Sequence, residues 1–324
     1  MSNNFTSSNQ DILLSGKDQY PLLSDAVGIT DYYLKYGYVV IRNVIPENEC
    51  KSLILNFIHS VKNSKSHFYR QTASGLAEVH RFNHYNMMMN SILNIQDLNK
   101  RYFDQFIMES FKIFTNYNLI KIVSDIFSIS PTIVQTMYFE GNPATWAHQD
   151  TYYLESSNPK GILAGWIALE DIDETAGRFY IYPKSHLIEL PKNSGNLNFS
   201  FNHDEYKNHV LNIIKENKLE ISIPRLNAGD ILLWSSKTIH GSMRTTDSKK
   251  SRNSLTVHFM PSDSNLIAFQ AVKRKLRIRK INNIDVHCPK PLDLFKYRMI
   301  LEFERKFPKL YSIVKKQMIG LFTR

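Results

Sequence analysis

TIVQTMYF, residues 132–139, is the first of five short runs rich in β-branched and aromatic residues. The others are Ile162–Leu169 (ILAGWIAL), Phe179–Tyr182 (FYIY), Ile231–Trp234 (ILLW) and Leu255–Met260 (LTVHFM). Gly, Asn, Asp and Pro punctuate them. Several short strands at this density predict a sandwich or barrel. Before Pro131 the texture is helical, apart from a short apolar strand at Tyr38–Ile41. Pro46 and Glu47 open a helix whose Leu53, Ile54, Phe57, Ile58 and Val61 make one apolar stripe. Residues 102–127 repeat the pattern with Phe106, Phe111, Phe114, Ile120 and Val123. Residues 191–209 are Asn- and Ser-rich and read as a long loop. After Pro291, Leu292, Phe295, Met299 and Phe303 share a helical face. Pro308 breaks that helix, and a last basic amphipathic helix runs to about Leu321. Such a helix is expected to cap the core, in preference to lying on a membrane surface.

The 324 residues carry 40 Lys+Arg and 30 Asp+Glu, a net charge of +10. Residues 265–324 hold 15 of the basic and 4 of the acidic residues, a net of +11, so the rest of the chain is near neutral. Lys273, Arg274, Lys275, Arg277, Arg279 and Lys280 fall in one stretch of eight. Such a block is either a solvated face or attracts anions, among which a phosphorylated or otherwise anionic small molecule is favoured over a membrane surface. No nucleic-acid-binding motif accompanies the charge, so no nucleic-acid partner is expected. The oligomeric state is left open.

With 43% hydrophobic and 22% charged residues, the composition excludes a disordered tail, a collagen and a coiled-coil rod. No apolar run reaches the roughly 20 residues of a membrane span. The start, MSNNFTSSNQ, has neither the basic nor the apolar segment of a secretory signal. Cys50 and Cys288 match no CxxC pattern, which excludes a zinc ribbon or disulfide framework and favours a reducing, cytoplasmic setting. The P-C-x-x-C of a zinc deaminase is missing, as is the G-x-S-x-G elbow of a hydrolase.

The sharpest chemical feature is His148-Gln149-Asp150, followed by His240 and then Arg252. In a strand, residues 148 and 150 point the same way and can share one metal. A second histidine from another strand completes two imidazoles and one carboxylate with open positions, the ligand set of non-haem Fe(II) oxygenases. One HxD alone is a weak signal, and His203-Asp204-Glu205 offers an HxE of equal quality. Gly229-Asp230 is a turn feeding the apolar strand before His240. Arg252 and Ser254 share a face at the start of the next strand, a ready site for a carboxylate.

Jointly these segments resemble the phytanoyl-CoA dioxygenase family of Fe(II)/2-oxoglutarate-dependent oxygenases. The resemblance rests on Gly37–Ile41 with Asn43–Pro46, Trp146–Asp150, Gly165–Asp171, Ala176-Gly177, Pro183–His186, and Ala228–Asp230 through His240–Ser242. It covers about residues 30–262. It implies an α+β, mainly β fold: a double-stranded β-helix (a cupin-like jelly roll) with N-terminal helices and a C-terminal helical extension. Three segments are expected: a flexible 1–20, the dioxygenase jelly-roll domain with its helical N-terminal part over 21–264, and a basic helical extension over 265–324 packed on it. The resemblance further implies iron held by His148, Asp150 and His240, and 2-oxoglutarate held by Arg252 with help from Ser254 or Ser242. Gln135 and Trp166 would line the co-substrate pocket. Dioxygen would be consumed, an aliphatic C–H hydroxylated, and succinate and carbon dioxide released. Two rivals remain: a non-catalytic jelly roll that binds a metal or ligand, and a cupin-like metal enzyme that needs no 2-oxoglutarate. Lys184 replaces the usual glycine of the P-G-S-H turn, which therefore cannot rely on glycine's freedom at positive φ. His186 reads as structural and His258 as a candidate lumen residue; His80, Arg81 and Asn83 could reach the substrate, with a capped or solvated segment the preferred reading.

Overall fold

A computed structural model describes residues 20–71, 76–189, 203–269, 272–311 and 313–314. The N-terminal segment expected to be flexible lies almost wholly outside the described residues. Helix α1 (Ala26–Tyr36) starts at Asp25, whose side chain accepts from Gly28 N, and ends at Gly37. Gly37 has φ +77°, and a Cβ there would stand 2.3 Å from His186 Nδ1, so the turn into strand β1 (Tyr38–Ile41) needs glycine. Helix α2 (Glu47–Asn56) follows, continued by one π turn (Phe57–Val61). Three two-residue strands come next: β2 (Phe68–Tyr69), β3 (Ala77–Glu78) and β4 (Ile92–Leu93). Helices α3 (Lys100–Phe114) and α4 (Tyr117–Phe127) are each capped by an asparagine side chain, Asn99 and Asn116.

The β-rich half supplies β5 (Pro131–Phe139), β6 (Thr145–His148), β7 (Leu154–Ser156), β8 (Leu163–Ala168) and β9 (Phe179–Ile181). Helix α5 (His203–Glu216) precedes β10 (Ile231–Ser235), β11 (His240–Ser242) and β12 (Ser254–Pro261). The chain closes with β13 (Leu266–Ala268), β14 (Val272–Arg274), β15 (Ile278–Ile281), β16 (Ile284–His287) and α6 (Phe295–Lys306).

The major sheet runs β1-β10-β8-β12-β5-β16-β15, with β4 also on β5. It is antiparallel except where β16 pairs parallel to β5. The minor sheet is β6-β11-β9, and a third sheet is β14-β13-β7. This is a jelly roll, and period two explains its two-sided burial. Leu255, Val257 and Phe259 of β12, with Leu163 and Ile167 of β8, pack in one cluster with Phe106, Phe111, Val123 and Phe127 of the helices. The even-numbered residues of β8 and β10 point into the lumen, where Trp166, Leu232 and Trp234 pack against Phe179 and Ile181 of the minor sheet. A bulge between His258 and Phe259 shifts the β12–β5 register, so Gln135 lies opposite His258.

Two expectations need correction. The predicted loop 191–209 contains the start of α5, because Tyr206, Val210 and Ile213 are spaced for a helix and bury against Ala147 and Tyr152 behind the minor sheet. Residues 190–202 lie outside the described residues. The extension is helical at α6 as expected, but residues 266–287 form four strands. Asn282 and Asn283 take φ +50° and +65°, the two-residue hairpin turn that lets β15 and β16 pair.

Candidate active site

His148 ends β6 and His240 opens β11, and the two are directly paired in register. His148 Nδ1 lies 2.8 Å from Trp146 O, and His240 Nδ1 lies 2.9 Å from Thr238 O. A carbonyl only accepts, so each Nδ1 carries the proton and each Nε2 presents a lone pair. Both Nε2 atoms stand 3.6 Å from Asp150 Oδ1. Ligands bound at about 2.1 Å to one ion stand roughly 3–3.5 Å apart, so this spacing suits a shared metal. Among the described residues these three form the one such group of His, Cys, Asp and Glu.

Asp150 does not continue the strand. It opens a 3-10 turn over Asp150–Tyr152, in which Tyr153 N donates to Asp150 O at 2.8 Å. The same-face argument therefore names the right pair, while a turn performs the convergence. The other carboxylate oxygen, Oδ2, accepts from Trp234 Nε1 at 2.9 Å and lies 3.5 Å from His258 Nε2. Oδ1 is thus turned toward the histidine pair. Burial pushes the Asp150 carboxyl up, but His240, His148 and His258 together hold it well below the carboxylate range. Burial pulls His240 down to about 4, so it is neutral and ligand-competent at pH 7.

Arg252 is only 3% exposed, yet no acidic side chain pairs with it among the described residues. Its Nη1 donates to Gly177 O at 3.0 Å, and its Nε is buried without a partner. The guanidinium stands 5.5 Å from the Trp166 ring and 5.8 Å from that of Phe139. Burial lowers it to about 9, so it stays charged at neutral pH. A buried cation with an orphaned N–H is a socket for an anion. Trp166 is paired with Thr256, and His258 is two residues further along the same lumen face. The donor set and the orphaned guanidinium therefore fit iron and 2-oxoglutarate. Gly177 is held at φ +84°, and a Cβ there would meet Asn142 Nδ2 at 2.0 Å, so its carbonyl can face Arg252 only if residue 177 is glycine.

The remaining expected residues divide. Ser254 is buried at the lumen end of β12 and donates to Arg252 O at 3.1 Å. Ser242 is committed to the neighbouring loop: its Oγ accepts from Thr145 N at 2.8 Å and donates to Asn142 Oδ1 at 3.0 Å. Gln135 faces the lumen opposite His258, and Trp166 is the platform under Arg252. His258 is a lumen residue, as the sequence allowed. His186 is structural, with Nε2 3.1 Å from Leu34 O. His80 is buried between Val61 O and Arg70, and Asn83 caps its own turn and donates to Ser248 O, so neither faces the triad. Asp204 and Glu205 lie in the first turn of α5, where carboxylates oppose the helix dipole. Trp234 and Thr256 were missed. Both were legible by period two, from Leu232 on β10 and from Ser254 on β12.

The model of the phytanoyl-CoA dioxygenase family matches residues 33–254, about two thirds of the chain. The chain belongs to the phytanoyl-CoA dioxygenase family. No curated protein matches it. Among solved structures, it is similar to the α-ketoglutarate-dependent epimerase SnoN from nogalamycin biosynthesis, described in complex with Fe3+, α-ketoglutarate and nogalamycin RO: 15% identity, 76% of this chain and 87% of that one, TM-score 0.57. The carbocyclase SnoK from the same biosynthesis aligns at 15% identity over 75% and 86%, TM-score 0.53. EctD from S. alaskensis with 2-oxoglutarate and 5-hydroxyectoine aligns at 14% identity over 82% and 85%, TM-score 0.53. These likenesses establish the jelly-roll fold. As a member of the phytanoyl-CoA dioxygenase family, the protein is an Fe(II)/2-oxoglutarate-dependent enzyme, which sets aside both rival readings.

Proposed function

We propose that this phytanoyl-CoA dioxygenase family member hydroxylates an aliphatic C–H of a small anionic molecule, and that His148, Asp150 and His240 hold its iron. Arg252 binds the distal carboxylate of 2-oxoglutarate, with Ser254 fixing the Arg252 backbone and Gln135 and Trp166 lining the pocket. The buried guanidinium of Arg252, with no acidic partner among the described residues and an orphaned Nε beside the Trp166 ring, carries this reading. When bound, ferrous iron with 2-oxoglutarate and dioxygen supplies the oxidising power to break a C–H bond, with succinate and carbon dioxide as co-products. The chain's own contribution is placement. Trp146 O and Thr238 O fix both imidazole tautomers, Trp234 fixes the carboxylate, and Phe179, Trp166 and Trp234 keep water from the lumen. Asp150 fills the ligand position that a halide would need, which favours hydroxylation over halogenation.

An anionic substrate class such as a CoA thioester, nucleotide sugar, phosphonate or biosynthetic intermediate is supported by the basic extension. Strand β14 begins the basic block, and it lies two strands from Leu154, directly after Tyr153 of the metal turn. Cys50 and Cys288 are free and buried, which supports a cytoplasmic setting. The test is a panel of such molecules supplied with Fe(II) and 2-oxoglutarate, reading succinate and product mass. Substrate-dependent succinate and a gain of one oxygen atom are expected. His148→Ala should abolish both, and Arg252→Ala should demand far more 2-oxoglutarate. Full activity in either variant ends the reading, and a product of unchanged mass ends its hydroxylation part.

A further inference from the structure

Helix α6 is mounted the wrong way round for a core-capping element. Its inner face is Tyr297, Ile300, Leu301 and Glu304, and the buried residue is the acid: Glu304 is 2% exposed and accepts from Ala77 N of β3. Its apolar stripe points to solvent. Phe295 is 69% exposed, Met299 53% and Phe303 40%. Beyond the break at Phe307, the stripe continues with exposed Phe307, Leu310 and Ile313. The contact with β3 is made through Glu304, and the core-capping helix expected after Pro308 lies largely outside the described residues.

A contiguous exposed apolar surface marks an interaction site, and its surroundings say with what. Counting 100° per residue from Phe295, the exposed Phe295, Met299 and Phe303 of α6 occupy 0–80°, opposite the inner face at 140–240°. Lys296 borders the stripe on one side, Arg298 and Arg305 on the other, and Lys306 lies within it. The acid beside it, Glu302, is already paired with Arg305 at 2.8 Å. The first turn adjoins the basic strand β15: Arg279 binds Asp293 at 2.9 Å and Arg277 stands 5.4 Å from the Tyr297 ring. Arg277 and Lys280 are exposed there, and Lys309 extends the charge past the break. Large apolar side chains flanked by lysine and arginine, on a helix whose other face is anchored to a folded body, have the chemistry of an in-plane interfacial helix.

We infer that α6 and the helical turn after it dock the enzyme on an anionic lipid bilayer surface, with Phe295, Met299, Phe303 and Phe307 entering the headgroup region. No helix of the described residues is long and apolar enough to cross a membrane, and none is needed for this contact. The surface does not rest on the reaction proposed above, although Arg277 and Lys280 also belong to the basic block that supports an anionic substrate there.

The test is co-sedimentation of the full chain with vesicles of phosphatidylcholine alone or with phosphatidylserine added. Binding to the phosphatidylserine vesicles only, weakening as salt rises, is expected. The triple variant Phe295→Ser/Met299→Ser/Phe303→Ser should keep its melting temperature and bind about tenfold more weakly or less. Lys296→Glu/Lys306→Glu/Lys309→Glu should lose the preference for phosphatidylserine. The inference is overturned if the wild type ignores both vesicles, or if the serine variant binds as well as wild type. It is equally overturned if light scattering shows a dimer that the serine variant loses while no vesicle is bound, since a second copy then covers the face.

Discussion

On β12, Leu255, Val257 and Phe259 turn toward the helices, whereas Ser254, Thr256 and His258 turn into the lumen. All six are buried. The helix-side residues join a continuous apolar cluster that reaches from Ile29 to Cys288. The lumen-side residues lead from Arg252 to Asp150 and include groups left incomplete, such as Arg252 Nε and His258 Nδ1. Equal burial thus hides opposite energetics. One face removes apolar surface from water and stabilises. The other holds polar groups away from water at a cost, ready for ligands that complete them.

The contrast can be broken by truncating the helix side. Phe259→Ala should destabilise by about 3–5 kcal/mol, seen as a lower denaturant midpoint, while metal affinity of the folded fraction stays unchanged. A change in metal affinity with little loss of stability would erase the distinction.

A second test asks whether a polar group on the helix side behaves as a stability element. Asp97 is buried beneath Lys290, whose N donates to its Oδ2 at 2.9 Å, and its Oδ1 has no partner. Burial raises its carboxyl from 3.8 to about 7. The folded value lies above the unfolded one, so this contribution is fully present below about 4 and is lost as pH rises through about 7. The loss approaches roughly 4 kcal/mol at 1.36 kcal/mol per unit. Asp97→Asn should remove that slope from melting curves taken between pH 4 and 8. A variant that keeps the wild-type slope would show that Asp97 is not its source.

On the lumen side, Trp234→Phe keeps an aromatic ring, smaller than the indole, and deletes the N–H to Asp150. Affinity for Zn2+ or Mn2+, measured by calorimetry, should fall about 10–100-fold, as for other outer ligand-orienting groups. An unchanged affinity would mean that His258 alone orients the carboxylate.

The smallest effect lies outside both faces. Lys184 takes φ +66° in the Pro183–His186 turn. The turn thus keeps a left-handed residue without glycine, helped by Lys184 N donating to Tyr36 O at 2.8 Å. Lys184→Gly should raise stability by about 0.5–1 kcal/mol, the αL penalty of a side chain less the chain entropy of glycine. A lower melting temperature would show that its contact with the Tyr36 ring outweighs the strain.

The five runs from Thr132 to Met260 were legible because a sheet covered on both sides needs continuous apolar strands, and each run is bounded by turn residues. The triad was legible as residue types, but its geometry was not, since nothing local says that Asp150 leaves the strand for a 3-10 turn. Strands β14 and β15 escaped because they carry lysine and arginine, which read as a charged tail, and β13 and β16 because they are only three and four residues long. Period-two alternation was present only in Ile284, Asp285, Val286, His287 after Asn282-Asn283; in β15 the half-buried side is Arg279 and Ile281, which hides the pattern. Helix α5 escaped because the polar run before it set the expectation for the whole segment. The exposed stripe of α6 was correctly placed on one helical face, yet which way that face turns depends on Glu304 and β3, far apart in sequence.

The parallel pairing of β16 with β5, Asp285 opposite Thr132 and Val286 opposite Ile133, gives the chain's last sixty residues a duty beyond carrying charge. A protein shortened to end near residue 264 would uncover backbone N–H and C=O groups along the strand that bears Gln135. Such a bare ribbon is a template for self-association, so the tail acts as a hem along that side of the major sheet.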